Sequence, residues 1–367
     1  MRKAIPYIIM VVMVLAFSEA TAQAYYRITN GRFLYERMAI PVYEVDNDRC
    51  YKLKPNLSYT HKTNEYSVTY YTNSQGIRTD HRKEDIHLDK DESTYRILFL
   101  GPSLAFGWAN DYENAYATII GENLNVVGKK VEVMNLGTPA QPNGYQLCWL
   151  EKSGYRFNPD MIVQTVYGNS SYLETSCREP LKCPVIKDGY LYTSDPSLKM
   201  KLIDSAKQSA IVFYGWLFYQ YFILQTNDNI GLGMELYESP AEELDSDDYE
   251  SKANRFLEYT HFVRKALNKD IPIVFIYVPF SYVVRPEDVS RWRLIGFENP
   301  YKLRNASRRI GELLEEYDIP FVDPTDALIS KDKEKRMFYF LDIHLTADGN
   351  RVVAEEAIPI IQELLDK

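Results

Sequence analysis

A serine that ends an apolar run and a histidine two residues after an aspartate are the side chains of this sequence best suited to chemistry. The serine is Ser103, in Arg96-Ile97-Leu98-Phe99-Leu100-Gly101-Pro102-Ser103. The histidine is His344, in Phe340-Leu341-Asp342-Ile343-His344-Leu345-Thr346-Ala347. Residues two apart in an extended segment project to one face, so Asp342 can hold one nitrogen of the His344 ring and leave the other free as a base. A serine hydroxyl becomes a useful nucleophile beside such a base. The chain has five histidines, which makes one placed beside an aspartate ahead of a helix informative. Both motifs also have a plainer reading. Gly-Pro-Ser is common turn chemistry, and Thr346 can serve as the N-cap of the last helix whether or not its neighbours react.

The elements that must position these residues follow from hydrophobic patterning. The apolar run before Ser103 is continuous and bounded by turn residues, which suits a strand covered on both faces of a parallel sheet. Similar strands are expected at Arg96–Leu100, Val131–Asn135, Met161–Val166, Ile271–Val278 and Ile319–Val322. Helical patterns follow near Glu113–Val126, Tyr145–Tyr155, Ser197–Gln225, Tyr301–Tyr317 and Ala347–Leu365. Such alternation argues for βαβ units in an α/β fold. Right-handed crossovers then put the loops after the strands, with Ser103, Gly137, Asn169 and Pro279, on one edge of the sheet. Ligands of open α/β sheets gather at that edge.

Outside this rhythm, residues 25 to about 91 are polar and rich in Tyr and Thr, with alternation at Tyr66-Ser67-Val68-Thr69-Tyr70-Tyr71 and a turn at Asn73-Ser74-Gln75-Gly76. The segment reads as a β-rich arm packed on the main domain. Residues 170–195 read as loop and hairpin. The apolar stretch 209–225 reads as a buried helix, with a membrane-touching or substrate-facing surface as the alternative. The acidic run from Glu242 to Asp248 reads as a solvated loop leading into a helix at Lys252–Leu267.

Composition narrows the partners. The 367 residues carry a net charge of −9 with both signs mixed, which supplies no basic stripe for nucleic acid. The 30 tyrosines suit either a core or a sugar-stacking surface. Met1-Arg2-Lys3, an apolar segment from about Ala4 to Phe17 and the small residues up to Ala24 have the order of a secretory signal, cleavable after Ala22 or Ala24 or retained as an anchor. Export permits disulfides among Cys50, Cys148, Cys177 and Cys183. A local Cys177–Cys183 bridge is expected, with Cys148 a buried free thiol. No Cys/His spacing resembles a zinc site, and no metal or cofactor is expected.

The order Ser103, Asn169, Asp342, His344 resembles the GDSL-type (SGNH) hydrolase superfamily from about Cys50 to the end of the chain. Ile97 to Trp108 resembles its nucleophile block. Val133-Met134-Asn135-Leu136-Gly137-Thr138-Pro139-Ala140 is similar to its second block, and Asn158-Pro159-Asp160 leading to Gly168-Asn169 to its third. Asp342-Ile343-His344-Leu345-Thr346-Ala347-Asp348-Gly349 is similar to its last block, while Tyr51 to Asn56 and Asn73 to Thr79 look like the extension of exported members.

The resemblance implies a three-layer α/β/α fold with a five-stranded parallel sheet of flavodoxin-like type. It divides the chain into a signal or anchor (1–24), a β-rich extension (25–92) and a hydrolase-like domain (93–367). It also implies a serine esterase with Ser103 as nucleophile, His344 as base and Asp342 orienting the ring. The oxyanion would be held by the backbone N–H of Ser103 and of Ala140 and by the Asn169 amide. The expected substrate is an acyl ester, O-acetyl above all, of an extracytoplasmic glycan. The alternatives are an O-acyltransferase on an envelope polysaccharide and a catalytically impaired glycan-binding protein. Membrane contact is expected only through the N-terminal segment. Two positions depart from the pattern: Pro102 replaces an aspartate and Ala140 a glycine. Proline removes a donor, and alanine fits easily only where the turn does not need φ > 0.

Overall fold

A computed structural model describes residues 5–30, 34, 40–63, 65–168, 173–177, 180–192, 206, 208–218, 246–286, 288, 300–340, 342 and 344–366. Its first strands are β1 (Tyr43–Asp46), β2 (Cys50–Leu53), β3 (Ser58–Lys62), β4 (Ser67–Thr72) and β5 (Arg78–Thr79). They are followed by β6 (Thr94–Leu100), β7 (Lys130–Asn135), β8 (Met161–Tyr167), β9 (Val185–Lys187), β10 (Tyr190–Tyr192), β11 (Ile273–Val278) and β12 (Phe321–Val322). The five strands expected from patterning are all present and parallel, in the spatial order β7-β6-β8-β11-β12. Numbered along the chain this is 2-1-3-4-5, the flavodoxin-like order, and its switch point lies at the carboxyl ends of β6 and β8.

The strands are apolar on both sides because helices cover both sides. Leu98 and Leu100 of β6, with Ile162 and Phe275, pack against Leu147, Phe256, Tyr259 and Leu314 from the helices Asn143–Lys152, Ser246–Leu267 and Pro300–Glu315. The alternate residues Ile97 and Phe99, with Val163 and Ile276, pack against Tyr116, Ile120, Val353 and Ala357 from Tyr116–Asn123 and Ala347–Leu365. Side chains alternate across a strand, so two such clusters define three layers.

The arm does more than pack on this sheet. Its strands β3, β4 and β5 continue it as antiparallel neighbours beyond β7, which makes the sheet eight-stranded. The joint is the pairing of Arg78 with Asn135. Gly76 turns the chain into β5 at a φ of 77°, and a Cβ there would sit 2.4 Å from the Leu53 carbonyl oxygen. A third cluster, including Val42, Tyr51, Tyr70 and Phe106, lies between the arm and the segment after Ser103.

Other expectations are corrected. The helix expected from Lys252 starts at Ser246, so the end of the acidic run forms its first turn, where the helix dipole favours negative charge. Residues 242–245 lie outside the described residues. Of the 209–225 stretch, Ala210–Phe218 is described and helical. It rests on the N-terminal helix Ile5–Asn30 instead of in the sheet core: Ala210 and Phe213 are buried with Tyr26 and Leu34, while Ile211, Val212 and Phe218 are exposed. The Glu19 carboxylate accepts hydrogen bonds from Ser209 Oγ and from the backbone N–H groups of Ala210 and Ile211. Within Ile5–Asn30, residues 5–28 are long and apolar enough to cross a membrane.

The disulfides also differ from expectation, pairing Cys50 with Cys183 and Cys148 with Cys177. Cys148 is fully buried as expected, but it is oxidised. The cause is a loop that crosses the helix bearing it: Glu174 donates its N–H to Asn143 Oδ1 at 3.0 Å and accepts from Asn143 Nδ2 at 2.8 Å. That clamp brings Cys177 over Cys148 and away from its sequence neighbour Cys183. Lys187-Asp188-Gly189-Tyr190 forms the turn of the β9–β10 hairpin, as its composition predicts.

Candidate active site

Ser103 opens the short helix Ser103–Phe106 directly beyond the end of β6. The turn depends on Gly101, at a φ of 148°, where a Cβ would sit 2.7 Å from the Thr165 side chain and 2.9 Å from that of Ala105. Pro102 does not disturb it, because the residue contributes only its carbonyl, which accepts from Phe106 N at 3.1 Å. The Gly101 carbonyl accepts from Thr138 N at 3.1 Å and Gln146 Nε2 at 2.7 Å, tying the serine turn to the loop after β7. Asn135 links the same segments: its Nδ2 donates to the Ala105 carbonyl at 2.8 Å and its Oδ1 accepts from Gly137 N at 2.9 Å. The Gly137 N–H is therefore engaged within the loop.

His344 and Asp342 lie on the loop before the helix Ala347–Leu365. Thr346 caps that helix, its hydroxyl accepting from Gly349 N at 3.2 Å, as the sequence predicts. Backbone bonds from Tyr339 N to the His344 carbonyl and from Thr346 N to the Met337 carbonyl fold the loop back on itself. This loop brings His344 to the serine, which is 241 residues away in the chain. His344 Nε2 lies 2.6 Å from Ser103 Oγ. His344 Nδ1 is hydrogen-bonded to Asp342 Oδ1, which also accepts from the His344 backbone N–H at 3.1 Å. The histidine and aspartate side chains are 11% and 20% exposed, so the row is sheltered yet reachable.

Burial pushes the Asp342 carboxyl up, but the adjacent imidazole and the hydrogen bonds from His344 and Tyr66 outweigh it and hold the group well below the usual carboxylate range. Asp342 is thus an anion across ordinary pH. Its other oxygen, Oδ2, accepts from Tyr66 Oη at 2.7 Å. Glu65 fastens the same loop by accepting from the backbone N–H groups of Phe340 at 2.6 Å and Asp342 at 3.0 Å. The Trp108 ring lies 5.6 Å from the His344 ring with a 35° tilt.

Of the three expected oxyanion donors, Ser103 and Ala140 are described, and Asn169 lies outside the described residues. Ala140 is exposed and has a φ of 59°, so the turn does take the left-handed conformation that a glycine favours. The loop is held from the arm, with Tyr51 Oη donating to the Ala140 carbonyl at 2.7 Å. Among the described residues no group of three or more His, Cys, Asp or Glu side chains could hold a metal ion. Sequence reasoning missed Glu65 and Tyr66, because no local spacing links residues 65 and 66 to residue 342.

No family profile matches the chain, and no curated protein sequence matches it. Solved structures with a similar arrangement include a member of the lipolytic protein G-D-S-L family from Veillonella parvula, at 10% identity and a TM-score of 0.37, covering 74% of this chain and 100% of that one. A carbohydrate acetylesterase family member from Sinorhizobium meliloti matches at 11% identity and a TM-score of 0.40, over 74% of this chain and 100% of that one. A catalytic mutant of an acetylxylan esterase from Geobacillus stearothermophilus matches at 12% identity and a TM-score of 0.37, over 73% of this chain and 94% of that one.

Proposed function

We propose that the protein is a serine esterase of the GDSL (SGNH) type that removes acyl groups, O-acetyl above all, from a glycan outside the cytoplasm. The observation that carries this reading is the row Ser103 Oγ, His344 Nε2, His344 Nδ1, Asp342 Oδ1, joined by hydrogen bonds at the switch point of the sheet. In the forward step Ser103 Oγ attacks the acyl carbon while its proton passes to His344 Nε2. The tetrahedral intermediate collapses as that proton moves to the departing sugar oxygen, which leaves an acyl-Ser103. Water then attacks the acyl carbon, gives its proton to the same nitrogen and releases the carboxylic acid with Ser103 restored. Asp342 stays ionised throughout, orienting the ring and stabilising its protonated form. The developing oxyanion is assigned to the N–H groups of Ser103 and Ala140 and to the Asn169 amide, because fixed donors aimed at that charge are the main electrostatic device for acyl transfer.

Two features support an extracytoplasmic setting: the apolar N-terminal helix and the two disulfides, since disulfides persist in oxidising compartments. The partly exposed aromatic side chains Trp108 and Tyr339 beside the histidine loop suit a sugar ring. The test is labelling with a serine-reactive phosphonate, read by intact mass and peptide mapping, alongside acetate release from an acetylated oligosaccharide. One adduct on Ser103, absent from Ser103→Ala and His344→Ala, with acetate tracking substrate loss, is the expected result. An unlabelled Ser103 together with no acetate release refutes the esterase. Acetyl groups appearing on an added second sugar faster than free acetate would show transfer instead of hydrolysis.

A further inference from the structure

Ser103, His344 and Asp342 account for one oxygen of the aspartate. The other is occupied from the far end of the chain. Tyr66, the residue just before β4, donates its hydroxyl to Asp342 Oδ2 at 2.7 Å across a sequence separation of 276. The phenol is also packed in place: its ring lies 5.1 Å from the Tyr339 ring and 5.1 Å from the His61 ring, which in turn lies 5.0 Å from the Trp108 ring. Trp108 in turn lies over His344. The adjacent Glu65 accepts from the backbone on both sides of residue 341, so the β3–β4 turn grips the aspartate by its backbone and by its carboxylate.

We infer that Tyr66 is a positioning residue for the acyl-transfer site, acting through Asp342 to set the orientation and basicity of His344. The inference rests on the esterase reading above and adds the arm to its working parts. A carboxylate can rotate about its terminal bond and can shift its charge between its oxygens. A donor fixed on Oδ2 stops the rotation and draws charge away from Oδ1. With that donor gone, more negative charge rests on Oδ1, the protonated imidazole is better stabilised, and the ring is free to turn. The base therefore becomes stronger and less well aimed. Burial and the neighbouring Asp342 push the Tyr66 phenol far above its ordinary value, so it remains a donor at every working pH. The other titratable or charged groups facing this cluster are Glu65, Arg78, Asp111, His61, Tyr70, Tyr339 and Asp348.

The test is Tyr66→Phe in the full chain, which removes the hydroxyl and keeps the ring in its aromatic cluster. His344 is titrated by NMR of labelled imidazole, assigned by its loss in His344→Ala, so no turnover is needed. The bond to Asp342 exists whether or not His344 is protonated, so only the difference in its strength between the two states moves the titration, and the His344 titration should move upward by a measurable fraction of a unit. The same variant should lose about tenfold in kcat with little change in KM, and its acid limb should move to higher pH. Tyr339→Phe is the control: it removes the bond to the Ala109 carbonyl beside the same cluster and should leave the His344 titration in place. An unmoved titration in Tyr66→Phe, or an equal shift in Tyr339→Phe, overturns the inference. Absence of Ser103-dependent phosphonate labelling in the wild-type chain would instead remove the esterase reading, which the imidazole titration does not depend on.

Discussion

Ala140 shows strain held at a single residue of the candidate site. At a φ of 59° it holds a left-handed conformation that brings Cβ against the following carbonyl at about 1–2 kcal/mol. Ala140→Gly removes that strain but frees the unfolded chain by about 0.4–1 kcal/mol. The net effect should be a gain in stability in denaturant unfolding of about 0–1.6 kcal/mol, with turnover retained because the backbone N–H is unchanged. Ala140→Val, whose branch point aggravates the same clash, should lose stability and activity together. A stabilising Ala140→Val would show that the turn is not left-handed in solution. Ser103, Asp342 and His344 were legible in the sequence because each belongs to a short motif with its own spacing. Tyr66 was not legible. Its chemistry arises only when two segments far apart in sequence meet, and before folding it is one tyrosine among 30.

At the scale of elements, the helix Ser103–Phe106 has four residues, too few to be stable by its own hydrogen bonds. It is held by Arg78, whose guanidinium donates to the carbonyls of Phe106, Gly107 at 2.8 Å and Asn110 at 2.6 Å, and lies over the Phe106 ring at 4.3 Å. Arg78 is buried and spends its charge on the carbonyls at the helix C-terminus, where a cation is favoured. The disulfides tie other segments together, β2 to the segment before β9 and the helix Asn143–Lys152 to the loop of residues 173–177. Cys50–Cys183 closes 133 residues and Cys148–Cys177 closes 29, for which the chain-entropy account gives ceilings of about 5 and 4 kcal/mol. Replacing Cys50 and Cys183 together should therefore lower stability at least as much as replacing Cys148 and Cys177. Non-reducing peptide mapping should recover only these two pairs, and a Cys177–Cys183 peptide would contradict the arrangement. The strands were legible because each is a continuous apolar run. The pairing was not, because it depends on where the loop of residues 173–177 crosses a helix, and the Asn143 to Glu174 clamp that fixes this crossing leaves no periodic trace.

At the scale of the molecule, the arm and the α/β unit share one sheet, one disulfide and one candidate site. Strand β5 meets β7 through Arg78 and Asn135, and the same Asn135 braces the serine turn through the Ala105 carbonyl. Removing residues 1–92 would expose the edge of β7, leave Cys183 without Cys50, and withdraw Arg78 from the Ser103 helix and Glu65 and Tyr66 from the Asp342 loop. An unpaired strand edge is a template for association, and the carbonyls held by Arg78 and Tyr51 and the carboxylate held by Tyr66 would lose their donors. A chain of residues 93–367 should accordingly aggregate, or unfold without a cooperative transition, and should take up no phosphonate. Removing only residues 1–24 is a milder change. It takes away Glu19 and Gln23, whose partners lie around residues 34 and 208–211, and touches none of the eight strands of the main sheet. That shorter truncation should keep the near-UV circular dichroism and the labelling of Ser103. If residues 93–367 unfolded cooperatively and were labelled at the wild-type rate, the arm would be an accessory to the site and not a part of it.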